Sequence, residues 1–455
     1  MNSWIVDPDK LESLGIKTVI IASPDMQGRL VGRRVPTAEF SGVVNKGVTI
    51  CTCVWSWDID QGTELIDAGK FALCNTHNGI PDVTLMPDLT TLRRAAWLEG
   101  VAICFADPYD PQTGELTEIS PRVQLKKELQ RYQEAGLLPL ASTELEFYLF
   151  VNDPVTLRKN NFAELEPSTL YSADFVIQDG NHFEPFFQTL RENLAASGVM
   201  IEAAQSEHGK GQWEMTFPYG DPLMMADQHS LYKLAVRDSA RRAGMSATFM
   251  ALPVNGEPGS SCHMHLSMKD SDSNALFWDP ELPNNMSAEM QSCIEGVLHY
   301  APELTLWFAP TVNSYKRHRG DGTAGLGNSW AIGDRLATVR VLGNTAESLR
   351  FEFRTAGADA NPYLALLGLL ASARAGLAQK LQLREMKNSA TKSGVEHSLP
   401  SNLGEAAEAF SASSLAPQLL REEEKKHHIV LAQHEWETYL SKVDSWDLNR
   451  YFDRI

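Results

Sequence analysis

The chain has 455 residues, 43% hydrophobic and 22% charged, a composition that suits a folded protein with a large core and room for two or more domains. Its formal net charge of -18 excludes nucleic-acid binding or attachment to anionic membrane through general electrostatics, though not binding of a nucleotide that arrives with a divalent metal. No window approaches the roughly 20 apolar residues of a membrane span, and the first eight residues carry neither a basic nor an apolar leader, so a cytoplasmic address is expected.

In chain order, Thr18 to Ser23 is a β-branched run, and Gly28 to Val35 reads as a second strand after a turn. Val54 to Asp60 and Asn75 to Gly79 read as loops. Two further strand-like runs, Pro81 to Asp88 and Gly100 to Asp107, precede the punctuated stretch Asp107 to Gly114, where a domain boundary is placed. Ser120-Pro121 predicts a helix to about Ala135, stopped by Gly136. Strands are then expected over Thr143 to Phe150, Val199 to Ala203, Gly211 to Phe217 and Ser261 to Ser267. Helices are expected over Phe183 to Ala196, Asp227 to Ala243 and Ser287 to Leu306. Asn313 to Arg317 reads as the start of a long loop, and Arg335 to Val341 leads to the alternating stretch Arg350-Phe351-Glu352-Phe353-Arg354. An Ala/Leu-rich helix should follow Asn361-Pro362 to about Leu383, then a polar linker near Asn388 to Leu403 and a charged helical tail. The six cysteines (Cys51, Cys53, Cys74, Cys104, Cys262, Cys293) are too scattered for a disulfide framework or a zinc site, and buried free thiols are expected.

The acids fall on the strands. Glu144 and Glu146 are two apart, so a strand points both carboxylates to one face, while Leu145, Phe147 and Leu149 take the other. His263 and His265 repeat that spacing, and Glu352 stands between Arg350 and Arg354. With Glu207 and Glu214 these make six potential ligands, Glu144, Glu146, Glu207, Glu214, His263 and Glu352, a carboxylate-rich set with one imidazole that suits Mg²⁺ or Mn²⁺. Two such ions bridging nucleotide phosphates would serve phosphoryl transfer. Arg317, Arg335, Arg340, Arg350 and Arg354 supply a cationic complement, with surface ion pairing as the alternative for any one of them.

Five motifs occur in the order found in glutamine synthetases: Glu144-Leu145-Glu146-Phe147; Glu207 to Gln212-Trp213-Glu214; Gly259-Ser260-Ser261-Cys262-His263-Met264-His265; Asn313-Ser314-Tyr315-Lys316-Arg317; and Arg350 to Arg354 followed by Ala360-Asn361-Pro362-Tyr363. The chain therefore resembles that family over about residues 116 to 455. The resemblance implies an α+β fold: a small N-terminal β-grasp domain (1–115) and a large catalytic domain (116–455) with a curved antiparallel sheet flanked by helices. It implies that Glu146, Glu207 and Glu214 hold one ion and Glu144, His263 and Glu352 another, with two or three Mg²⁺ or Mn²⁺ per site. It further implies that Gly259, Arg317 and Arg354 contact glutamate, that Glu202, His265, Ser267 and Arg335 lie near ATP, and that Arg340 meets the transferring phosphoryl group, with Arg340 and Arg335 as the catalytic arginines. The family phosphorylates the γ-carboxylate of glutamate and lets an amine displace phosphate. It assembles as stacked rings, so a homo-oligomer, a dodecamer, is expected, with each site completed by a neighbour's N-terminal domain.

Two features depart from ammonia-using members. Thr323 stands in the flap His318 to Gly325 where those enzymes carry an acid, and their N-terminal Asp-Gly-Ser-Ser element is missing. Those groups bind ammonium and take its proton, so the activating machinery is kept while the acceptor pocket is changed. The pattern is that of the amine-using branch, similar to γ-glutamylpolyamine, γ-glutamylmethylamide and γ-glutamylanilide synthetases. Glutamate, ATP and a small amine are the expected substrates. Trp55, Trp57 and Trp330 are candidates for an apolar acceptor pocket, with core packing as the alternative, and Asp58, Asp60 and Asp321 are candidates to hold or deprotonate a cationic amine. An ammonia-using glutamine synthetase is the first alternative, and a catalytically silent scaffold or regulator of the same fold is the second.

Overall fold

The computed structural model describes residues 4–320, 325, 327–386 and 399–455. The first sheet contains β1 (Thr18–Pro24), β2 (Leu30–Pro36), β3 (Val48–Cys51), β4 (Asp82–Pro87), β5 (Arg93–Arg94) and β6 (Val101–Tyr109). Its order is β2-β1-β6-β4-β3, with β5 beside β6 and with β1 and β6 parallel. The second sheet contains β7 (Leu137–Phe150), β8 (Ala203–Ser206), β9 (Gln212–Thr216), β10 (Ser246–Thr248), β11 (Cys262–Asp270), β12 (Trp330–Ile332), β13 (Val339–Leu342) and β14 (Arg350–Phe353). Its order is β12-β13-β14-β11-β7-β9-β8, with β10 beside β7. Among the described residues every pairing in it is antiparallel except β12 with β13.

Alternation along the second sheet divides its residues between two faces. Leu145, Phe147, Trp213, Met215, Met264, Leu266, Phe351 and Phe353 all enter one buried core. The helices Pro121–Glu134, Pro222–Arg242, Ala288–Phe308 and Pro362–Gln379 pack over that side. Full burial of each large side chain contributes about 1.5–3 kcal/mol, so this face fixes the register of every strand that crosses it. The last two helices cross at Gly296 and Gly376, where a Cβ on Gly296 would lie 2.7 Å from Gly376 Cα. Only glycine permits that approach.

A buried ion network joins the two sheets. Arg122, on the helix Pro121–Glu134, has no solvent exposure and donates to Asp107 Oδ1 at 2.8 Å, Asp88 Oδ2 at 2.9 Å and both oxygens of Asp227 at 3.1 Å. Asp88 follows β4, Asp107 lies on β6, and Asp227 lies on the helix Pro222–Arg242. Burial disfavours the Arg122 charge, yet Asp227 and Asp107 outweigh it and hold the guanidinium protonated. Tyr363 completes the network, its hydroxyl donating to Asp227 Oδ1 at 2.7 Å. Two residues earlier, the Asn361 side-chain amide donates to the carbonyls of Asp25 and Met26, which tethers the β1–β2 turn.

Several expectations need correction. Asn313 to Arg317 lies in a helix, Val312–Gly320, rather than a loop. Thr311 and Ser314 bond reciprocally at its start, and Asp359 Oδ2 accepts from both hydroxyls, which satisfies the first turn. The strand expected from Val199 begins only at Ala203, because the preceding residues leave the helix Ile177–Ala196 through Gly198 in a left-handed turn. Ser120 occupies the N-cap position without a side-chain cap bond. The Ala/Leu-rich helix ends at Gln379, with Lys380 in the left-handed region at φ 50°. Cys51 and Cys53 are joined in a disulfide, against the expectation of free thiols; in the bend after β3 the two Cα atoms are only 5.2 Å apart, within bridging range. Cys74, Cys104, Cys262 and Cys293 are buried and free, as expected. Most of the polar linker lies outside the described residues, as does Asp321 with the centre of the flap.

Arg122→Met leaves Asp88, Asp107 and Asp227 around one missing charge, and a loss of about 3–5 kcal/mol in unfolding free energy is expected by denaturant titration. A loss below about 1 kcal/mol would show that the acids find other partners.

Candidate active site

The polar face of the second sheet collects the sequence-predicted ligands through register alone. Glu144 on β7 is paired with His263 on β11, Glu146 with Glu214 on β9, and His265 on β11 with Glu352 on β14, which in turn opposes Arg340 on β13. Paired residues share a face, so these side chains form a continuous polar row.

Within it, His263 Nδ1 lies 3.4 Å from Glu352 Oε1 and 3.5 Å from Glu144 Oε2. His265 Nε2 lies 2.9 Å from Glu144 Oε1, and the Arg350 Nε–H donates to His265 Nδ1 at 3.2 Å, which leaves the His265 proton on Nε2, facing the carboxylate. Glu352 is held between Arg354, paired to Oε1, and Arg340, whose Nη1 lies 3.2 Å from Oε2. Donor atoms of Glu144, His263 and Glu352 fall within 4.8 Å of one another, and so do those of Glu146, Glu214 and His263. His263 thus stands between two carboxylate groups. Glu207 lies just beyond the end of β8 and outside the second cluster, while its side chain shares the Gln205 amide with Glu214.

The electrostatics of the row differ from end to end. Burial raises Glu144, but hydrogen bonds from His263 and His265 outweigh it and hold the carboxyl well below the ordinary range. Glu352 is lowered likewise: burial opposes ionisation, and His263, Arg354 and His265 overcome it. At the other end burial prevails. Burial first, and then the charge of Glu146, push Glu207 up to about 8 and Glu214 up to about 10, and burial raises Glu146 as well. His263, Arg317 and Arg354 act against burial at Glu146 without overcoming it, and a divalent cation among these mutually repelling carboxyls would let them ionise together.

The other predicted residues are placed as follows. A Cβ on Gly259 would lie 2.7 Å from the Ala251 carbonyl oxygen and overlap the Arg317 stem, so this position admits only glycine. The buried Arg317 guanidinium donates to Thr355 O at 2.8 Å and Ser261 Oγ at 2.9 Å. Ser267 is half-buried on β11, two residues from His265. Glu202 and Arg335 are exposed at the approaches to β8 and β13. Trp55 and Trp330 are core residues, their indole N–H groups donating to Pro24 O at 3.0 Å and Arg384 O at 2.8 Å. Asp58 Oδ2 lies 3.5 Å from His434 Nε2.

Two functional residues escaped the sequence reading. Gln212 Nε2 donates to Glu146 Oε2 at 2.9 Å and to Gly259 O at 3.0 Å, and Gln205 Nε2 donates to Glu214 Oε1 at 2.6 Å. Each glutamine stands two residues before an acid, the same period that identified Glu144 with Glu146.

Residues 118–451 match the family model for the glutamine synthetase catalytic domain. The chain is 34% identical over 442 residues to gamma-glutamylethanolamide synthetase GlnA4 of Streptomyces coelicolor, covering 97% of this chain and 93% of that protein. It is 30% identical over 454 residues to glutamate–isopropylamine ligase of a Pseudomonas species, covering 98% and 97%. A solved structure described as apo GmaS without ligand superposes with a TM-score of 0.84 at 23% identity, over 98% of this chain and 99% of that one, and so shares the fold.

Because the folded-state values of Glu207 and Glu214 lie above the ordinary 4.5, the folded chain keeps protons that the unfolded chain releases. Their contribution to stability is present below about 4.5 and is lost as pH rises through about 8 and about 10. Chelator-treated protein should therefore melt lower at about pH 9 than at about pH 6, and Mg²⁺ or Mn²⁺ should raise the melting temperature more at the higher pH. A metal-induced rise that is larger at the lower pH would contradict this assignment.

Proposed function

The chain belongs to the glutamine synthetase family, whose members are ligases that form γ-glutamyl amide bonds, and from that premise we propose that it joins glutamate to an organic amine using ATP. The observation that carries the reading is the row of five ligand candidates, Glu144, Glu146, Glu214, His263 and Glu352, on one sheet face, with Glu207 beside it and arginines at its end. A silent scaffold has no physical reason to keep so many buried, mutually repelling charges. The choice of an organic amine over ammonia rests on Thr323 in the flap, on the missing Asp-Gly-Ser-Ser element, and on the ethanolamide and isopropylamine named for the two relatives.

In this reading Glu146, Glu207 and Glu214 hold one Mg²⁺ or Mn²⁺, and Glu144, His263 and Glu352 another. When bound, the ions supply charge neutralisation for the nucleotide phosphates and the transferring group. Arg340 and Arg354, now paired with Glu352, turn to the incoming anions: Arg340 to the phosphoryl group and Arg354, with Arg317 and the Gly259 backbone, to glutamate. Glu202, His265, Ser267 and Arg335 line the nucleotide. His265 is already fixed in one tautomer by Arg350 and Glu144. Transfer of the γ-phosphoryl to the glutamate side chain makes phosphate the leaving group, and the amine, after losing a proton, displaces it. The remaining features of the proposal are a division at about residue 115, a ring-stacked homo-oligomer of dodecamer type in which a neighbour completes each site, and a cytoplasmic address. None of the described helices is long and apolar enough to cross a membrane.

Phosphate release with ATP, Mg²⁺ and glutamate, measured across ammonia, alkylamines, polyamines, ethanolamine and anilines, should be fastest with an organic amine. Its kcat/KM should exceed that for ammonia by roughly tenfold or more. Ammonia as the best acceptor would overturn the choice of amine, and no release with any amine would overturn the ligase. Glu352→Ala should lower release by about a thousandfold or more, equivalent to about 4 kcal/mol of transition-state stabilisation, with the melting temperature retained.

A further inference from the structure

A cavity of about 670 Å³ lies between the β1–β2 turn, the helices Pro222–Arg242 and Val312–Gly320, and the helix Glu422–Ser441. It is not the carboxylate row: Arg317 turns from the helix Val312–Gly320 toward Thr355 and Ser261, whereas Asn313 and Lys316 of the same helix line the cavity. Its volume is that of a small-molecule pocket, and much of its lining is apolar, from Ile59, Leu234, Phe249, Leu306, Leu364 and Leu431.

The charges in it are unusual. Lys233 and Arg237 stand one turn apart on one wall, both over the Phe249 ring, at 5.4 and 5.2 Å from its centroid. Among the described residues neither forms an ion pair; Lys233 donates only to the Ala358 carbonyl, at 2.8 Å. Asp359, whose charge reaches Lys233, is engaged by the Thr311 and Ser314 hydroxyls. Burial, and then the charge of Arg237, bring Lys233 down to about 7. Two acids, Asp58 and Glu435, belong to other walls, and Glu435 is raised by burial and then by Asp58. His434 beside Asp58 is their only basic ion-pair partner among the described residues. Opposite charges thus face one cavity without meeting across it. His428, 5% exposed and also in the lining, has its Nδ1 turned to the Trp307 indole N–H at 3.4 Å, which leaves a proton on Nε2 with no partner among the described residues.

We propose that this cavity binds a small zwitterion with an apolar side chain, an α-amino acid, its carboxylate against Lys233 and Arg237 and its ammonium against Asp58 and Glu435. Arg29, paired with Asp25, and Lys316, over the Tyr439 ring, also line the cavity, and such a ligand supplies Lys233 and Arg237 with the counter-charge they lack while its side chain covers the apolar lining. The inference does not depend on the reaction proposed above, since none of these four residues belongs to the carboxylate row.

Calorimetric titration of the full-length protein with L-leucine and L-phenylalanine, in the absence of ATP and glutamate, tests it. At least one of the two should bind, and for L-phenylalanine the single-charge analogues hydrocinnamate and phenethylamine should bind roughly tenfold more weakly or worse. Arg237→Gln and Glu435→Gln, on different helices, should each weaken the amino acid by about tenfold, with melting temperatures unchanged. No heat with either amino acid, equal binding of hydrocinnamate, or unaltered affinity in both variants would overturn the proposal. Weakening in one variant alone would also count against it, because it would mean a ligand held at one end only.

Discussion

The constraint on which this structure depends is the two-residue alternation of one sheet. The strands that turn Leu145, Phe147, Met264, Phe351 and Phe353 into the core turn Glu144, Glu146, His263, His265 and Glu352 the other way. A slip of one residue in any of them would bury charge and expose apolar rings, at several kcal/mol for each side chain misplaced. The core therefore does more than stabilise the chain. It sets the registers that place carboxylate beside imidazole, so the packing on one face determines the chemistry available on the other.

The segment after β14 extends this order to the rest of the molecule. Arg354 and Thr355 face the site, Asp359 caps the helix that carries Arg317, Asn361 holds the β1–β2 turn, and Tyr363 joins the Arg122 network. Ten consecutive residues connect the strand that carries Glu352, the neighbouring helix and the first sheet. A polar residue at each of these positions thus has a structural partner, even where its sequence motif drew notice for a catalytic reason.

This explains which parts were legible in the sequence. The alternation of Glu144 with Glu146 and of His263 with His265 is local, and it was read correctly because a strand has only two faces. β1, β2, β4 and β6 of the first sheet were legible by pattern too, while the short β3 and β5 were not called, and the helices from Ile177 and Pro222 begin a turn or more before the expected Phe183 and Asp227. The helix at Val312 was not legible, since the groups that complete its first turn include Asp359, more than forty residues away. The pairing of Cys51 with Cys53 depends on the bend after β3, which composition does not report. Lys233 and Arg237 look like the exposed basic face of an amphipathic helix, and only the tertiary packing turns them into a cavity wall.

The glutamines beside the acids sharpen the reading of the row. Gln205 and Gln212 each give an amide N–H to a buried carboxylate, which satisfies an oxygen without neutralising its charge. A lysine or arginine there would have relieved the repulsion among Glu146, Glu207 and Glu214 and left nothing for a cation to do. At the opposite end, histidines and arginines already lower Glu144 and Glu352, so those two stay ionised without help. The row is thus graded, from a pre-ionised end next to the arginines to an end where burial and mutual repulsion hold the carboxyls up. That gradient is what the proposed reading uses, with anionic substrate at the arginine end and a metal ion at the glutamine end.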